Sequence, residues 1–333
     1  MSPLFLLVPA LLATLLLALG VGRYPLPPVD ILAYLASMLG LVDLPPERAD
    51  LLHNLLVEIR LPRVLGAALI GAALSASGAS FQAIFRNPLV SPGILGVLGG
   101  ASFGAALGVL ISGHWLVVQL AAFVMGVAAV FLGGLIANLY GRASIIVLVL
   151  GGMISGAFFS ALLSLVKYAA DPADRLPAIV YWLMGSLGAL DLSQLTFASA
   201  PILVGVALLC ALGRALDAMT MGDDEAASLG VSVTAVRYGV IGLATLISSL
   251  SVSLAGMVGW IGLVVPHVAR LLIGPLNRRL IPASALLGAI FLILADCLSR
   301  TIAYAEIPIG VITELLGVPA FILVLRHARR GWL

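Results

Sequence analysis

Charge is what this sequence has least of. Only 10% of its 333 residues are Asp, Glu, Lys or Arg, against 62% hydrophobic, and the mean hydropathy is +1.20. A soluble domain carries about 25% charged residues. A chain this poor in charge cannot cover a water-facing surface, so its composition places it in a membrane. The net charge of +2 is too small to imply nucleic acid. Cysteine is scarce too. Cys210 and Cys297 lie in apolar runs without metal-ligand spacing and read as small buried hydrophobes. Several chemistries lack their motifs. There is no HExxH, no GxSxG, no paired-Cys motif and no strand–turn–helix setting for a dinucleotide. The expectation is no catalytic residue and no metal site. Without GxxxxGK[ST], the chain has no ATPase of its own.

What fills the chain is long apolar runs. About 20 such residues cross the hydrocarbon of a bilayer as a helix. Runs of that kind stand near 3–21, 64–84, 94–113, 115–139, 145–166, 195–213, 235–256, 258–274, 282–300 and 309–326. The closely spaced pairs must turn at "SGH" (112–114) and "GMVGW" (256–260). The first run lacks a basic n-region and a good cleavage site, so it reads as a retained helix. The expected fold is an all-α polytopic membrane protein with about ten transmembrane helices, in one domain over 1–333.

With the N-terminus inside, ten Lys and Arg residues fall on the cytoplasmic side and seven outside. Counting acids as well gives +6 inside and −4 outside. Both termini are then cytoplasmic. Internal repetition is faint. Ser75, Gly78 and Pro88 share their spacing with Ser253, Gly256 and Pro266. The two copies start on opposite sides, as in the inverted repeats of many transport folds. The halves run roughly over 60–190 and 235–326. Thirty-six glycines, with many Ala and Ser, allow close helix packing in lipid.

Charges within spans are expensive and deserve individual reading. Asp296, Glu314 and Lys167 all fall near predicted helix ends, where solvation is the expectation. His267 follows a helix-breaking proline in "VVPHVAR" and reads as a packed or capping residue. One other stretch stands out, "MTMGDDEAASLGVS" (219–232), where Asp223, Asp224 and Glu225 are consecutive. Acids favour a helix N-terminus and Gly230 suits a C-terminal stop, with Ala226, Ala227 and Leu229 between. Read from the residues alone, a solvated loop and a docking helix stay equally open.

Four stretches carry a family resemblance. "RLPRVLGAALIGAALSASGASFQAIFRNPLVSPGILGVLGGASFG" (60–104), "YWLMGSL" (181–187), "GMVGWIGLVVPHVARLLIG" (256–274) and "EIPIGVITELLGVPAFILVL" (306–325) resemble the FecCD-type permeases. These are type II ABC importer permeases for vitamin B12, ferric siderophores, haem and some oxyanions. The resemblance covers essentially the whole chain.

It implies a ten-helix inner-membrane subunit that pairs with a copy of itself. Two cytoplasmic ATPases, which use ATP and Mg, and one periplasmic or lipid-anchored binding protein would complete the assembly. No cofactor would be bound by this chain. The loop 214–235 would form a coupling helix docking on the ATPase through Asp223, Asp224, Glu225, Ala226, Leu229 and Gly230. Arg60, Arg63 and Arg300, at the outer mouth, would receive acids of the binding protein. A pathway lined by the fifth helix would close at a cytoplasmic gate at Ala143 and Ser144. The competing reading is an ion-coupled secondary transporter, in which Asp296 or Glu314 would serve as the ion site. An intramembrane enzyme lacks any recognisable nucleophile–base or metal set.

Overall fold

The computed structural model describes residues 4–139 and 145–331, with side chains through 324. The described residues are helical with short connections and no strand. Ten helices lie on the ten apolar runs: α1 (Leu4–Gly20), α4 (Leu61–Ile84), α5 (Val97–Ile111), α6 (Trp115–Leu139), α7 (Ile145–Ala169), α9 (Leu192–Ala211), α12 (Val233–Ala255), α13 (Ile261–Ile273), α14 (Asn277–Thr301) and α15 (Ile309–Gly331). Shorter helices fill the connections: α2 (Pro28–Met38), α3 (Pro46–His53), α8 (Arg175–Met184), α10 (Gly213–Met219) and α11 (Asp223–Ser228). The two expected turns hold. Residues 112–114 separate α5 from α6, and residues 256–260 separate α12 from α13.

Six described helices are long and apolar enough to cross a membrane by themselves. α5 and α13 are shorter, at 15 and 13 residues. The backbone explains the shortness of α13. It begins after Trp260, held at φ 66°, and follows Gly256 at φ 72°. A left-handed pair of that kind ends one helix and re-aims the next.

α4 is the axis of the bundle. It packs along α14 and also touches α9, α12 and α13. Its small residues make this possible. A Cβ at Gly78 would stand 1.9 Å from the Gly262 carbonyl oxygen, and one at Gly71 would stand 2.2 Å from that of Gly288. Lipid supplies no hydrophobic force between helices, so backbone-close van der Waals packing must hold them together. By contrast, α6 and α7 turn large apolar side chains outward, among them Phe131, Leu135, Met153, Ile154 and Phe158.

Three of the sequence stretches quoted above meet at one point. Gly185 ends α8, and its backbone is crossed by Gly256 and Gly310. Ser186 donates to the Ala255 carbonyl (2.8 Å), and Ile309 donates to that of Gly185 (3.1 Å). A Cβ at Gly256 would lie 2.4 Å from the Trp182 oxygen, and one at Gly310 2.5 Å from the Met184 oxygen. Segments 181–187, 256–274 and 306–325 are therefore pinned together by main chain.

Candidate functional site

Charged side chains gather at the two ends of α4. At its N-terminal end, Arg63 donates from Nε to Asp296 (2.7 Å) and from Nη1 to Glu306 (3.0 and 3.1 Å). Arg300, one turn after Asp296 on α14, lies with Nε 3.1 Å from the other Asp296 oxygen and donates to the Ala18 carbonyl (3.0 Å). Arg60 closes the group by donating to the carbonyls of Leu19 and Tyr24. Relative exposures are 4% for Arg60, 6% for Arg63, 5% for Arg300 and 1% for Asp296.

This corrects two sequence expectations. Asp296 is not a solvated helix-end residue. It is a buried carboxylate held between two arginines, because ionised groups taken out of water persist only when paired. Arg60, Arg63 and Arg300 do stand together at one end of the bundle, as expected, but they do not face outward for an incoming acid. Carbonyls of α1 and the 20–24 turn, together with Asp296 and Glu306, already occupy them. Glu306, whose side chain is 35% exposed, is the part of the group nearest solvent. Glu314 is exposed, and His267 is packed against Phe321 with its ring nitrogen 2.8 Å from the Leu263 carbonyl, as the sequence suggested.

At the C-terminal end of α4 lies the acidic segment. Residues 223–228 form α11, with all three acids in its first turn. Gly230 has φ 83° and ends the helix. Its N–H donates to the Ala227 carbonyl (2.9 Å), and that of Val231 donates to Ala226 (3.0 Å). This pair of bonds is the Schellman arrangement, which requires a left-handed residue where glycine stands. Ala226 is fully buried in the main core cluster. Leu229 is 64% exposed and Met221 68%.

The three acids are not equivalent. Asp223 receives Arg86 (2.6 Å) on one oxygen and Arg237 (2.7 Å) on the other. Asp224 and Glu225 are exposed and have no ion pair among the described residues. A further acid, Asp217 on α10, accepts from the backbone N–H groups of Asn277 (2.5 Å) and Arg278 (3.4 Å). It caps the otherwise unpaired start of α14, as a carboxylate at a helix N-terminus does. Nothing in the sequence marked it, because its partner lies 60 residues away.

Ala143 and Ser144 lie outside the described residues. Among the described residues, an apolar recess of about 460 Å³ is lined by Val130, Gly133, Leu148, Gly152, Tyr238 and Gly242, from α6, α7 and α12. No group of three or more potential metal ligands occurs among the described residues.

Comparison with known proteins agrees in sequence and in structure. The family described as the FecCD transport family matches residues 10–327. The molybdate import system permease protein of Haemophilus influenzae is 35% identical over 321 residues, covering 96% of this chain and 94% of that protein. The cobalamin import system permease protein of Halobacterium salinarum is 37% identical over 282 residues, covering 84% of this chain and 75% of that protein. A solved structure described as an inward-facing metal-chelate type ABC transporter aligns with a TM-score of 0.84 and 34% identity, covering 97% of this chain and 98% of its own. With helices on all ten apolar runs and a family match over nearly its full length, this chain belongs to the FecCD transport family, as a multi-pass membrane permease subunit of an ABC importer.

Proposed function

We propose that the chain works as a homodimer with two cytoplasmic ATPases, which hydrolyse ATP with Mg, and one extracytoplasmic binding protein. It moves a metal chelate or related cargo inward: a ferric siderophore, haem, cobalamin, molybdate or tungstate. The Asp223 end of the bundle is the cytoplasmic end, with both chain termini on that side of the inner membrane. The Arg63 end receives the binding protein. The two halves of the chain act as inverted repeats, and the pathway closes at Ala143 and Ser144.

One observation carries the reading. α11 is a short capped helix that is anchored on one side, through Asp223 and Ala226, and open on the other, through Asp224, Glu225 and Leu229. A solvated loop needs neither the anchor nor an exposed leucine. The alternative, an ion-coupled transporter, needs a free carboxylate within the membrane. Asp296 is committed to two arginines, which disfavours it as that carboxylate and leaves the reading to the exposed Glu314 alone. At the other end, the arginines support docking indirectly, by fixing the turn that carries Glu306.

Deletion of residues 222–230 is the test. The variant should remain a folded membrane protein, while recovery of a co-expressed ATPase on an affinity-tagged permease falls at least about tenfold, or ~1.4 kcal/mol of binding. Full recovery of the ATPase with the deleted chain would sink the coupling role of this segment.

A further inference from the structure

We infer that Asp223 is a positioning residue that fastens α11 to both α4 and α12, so that the three move as one body. The docking surface is then left to Asp224, Glu225 and Leu229. The consequence for transport rests on the coupling reading above, whereas the fastening itself is a property of this chain alone.

The geometry divides the acidic triplet. Each oxygen of Asp223 takes a different arginine, at 2.6 Å from Arg86 and 2.7 Å from Arg237. Arg86 is 137 residues away, just beyond the end of α4, and Arg237 is 14 residues away, in the early turns of α12. One carboxylate thus joins three elements that are distant in the chain. A charged fork with two acceptors is directional as well as attractive, so it fixes orientation and not only separation.

Two features show that the joint is built. Arg86 has φ 48°, a left-handed conformation that a residue with a Cβ adopts only when its surroundings hold it there. Its N–H donates to Ala83 (3.2 Å), and the chain reversal at that point aims the side chain at α11. The Arg237 side chain is only 12% exposed. Without Asp223 it would be a largely enclosed cation with no counter-charge among the described residues, which drives it to rearrange. Beneath the carboxylate, Ala226 is fully buried in the core cluster against which Val233 and Val236 of α12 also pack. Asp224 and Glu225 have no comparable partner among the described residues.

The test is a distance measurement in the full chain, in nanodiscs, with Cys210 and Cys297 replaced by alanine. Spin labels are placed at Ser228→Cys on α11 and Leu89→Cys after α4, both exposed positions. The parent should give one narrow distance, unchanged when ATPase, ATP and vanadate are added. Asp223→Asn should broaden it about twofold, while the melting temperature and ATPase recovery stay near the parent's. Asp223→Glu should restore the narrow distribution, which a role in bulk stability would not produce. A narrow distribution in Asp223→Asn overturns the inference. So does loss of the ATPase from Asp223→Asn to the extent seen with the 222–230 deletion, because Asp223 would then be a docking contact. The distance is read without the ATPase first. Failure there leaves the coupling reading standing, and retention of the ATPase by the deletion leaves the fastening standing.

Discussion

The two ends of α4 use the same chemistry, arginines converging on an aspartate, in opposite settings. At one end the Arg63 and Asp296 side chains are 7% and 1% exposed, sealed beneath α1 and the α14–α15 turn. At the other, the Arg86 and Asp223 side chains are 36% and 43% exposed. Burial decides what each can do. A sealed pair has no alternative partner, so it locks its helices together. An open pair is screened by water and holds less firmly by itself, so this end relies on its second and more enclosed arginine, Arg237, whose side chain is 12% exposed.

The largest expected effect tests the sealed end. Asp296→Leu leaves two buried arginines short of a counter-charge and should cost about 3–5 kcal/mol. It would be read as a lowered melting temperature or as loss of the monodisperse protein in detergent. Adding Arg63→Met and Arg300→Met should recover most of the loss, since apolar replacement of a whole buried ion group is often neutral. If Asp296→Leu melts with the parent, the contrast between the ends collapses.

A smaller effect is expected at the open end. Gly230→Ala has room, with nothing within 4 Å of a Cβ there, but φ is 83°. The left-handed conformation should cost about 1–2 kcal/mol. Amide hydrogen exchange over 223–231 would report it as roughly five- to thirtyfold faster local opening. Unchanged exchange would mean that the Schellman turn does not hold α11.

The smallest effect returns to the Arg63 end, where Asp191 caps α9 by accepting from the Gln194 N–H (2.8 Å). The Ser193 hydroxyl (2.6 Å) and that N–H hold its carboxyl below the usual aspartate range. A depressed value means that the stability is present above the ordinary value of about 3.9 and is lost as pH falls through the lower folded-state value. Asp191→Ala should therefore cost about 1 kcal/mol near neutrality. Its melting temperature should converge on the parent's in acid. A gap that persists in acid would assign the loss to packing.

How much of this could be read in the sequence follows from chain separation. The ten helices on the apolar runs were legible because each is a local run with Gly or Pro punctuation. The caps of α11 were legible for the same reason, its acids, Ala226 and Gly230 all falling within eight residues, but only the family resemblance chose a helix over a loop there. The Arg63 group was only half legible. Asp296 and Arg300 are four apart and visible as a pair, but Arg63 lies 233 residues from Asp296 and 243 from Glu306. Read singly, each of these charges looks like a solvated helix end. The unequal roles of Asp223, Asp224 and Glu225 were hidden too, because three adjacent carboxylates differ only in what approaches them from α4 and α12.

α14 gives the two ends a mechanical relation. It is 25 residues long, about 37 Å of helix. Asp217 pins its first turn to the connector before α11, and Asp296, near its last turns, is pinned to α4. α4 runs antiparallel beside it, Arg63 meeting Asp296 and Gly71 meeting Gly288, and is tied to α11 through Arg86. Two rods braced against each other at both ends form a truss, and a truss resists shear. Slippage between α4 and α14 would therefore have to break a charged contact at one end or the other.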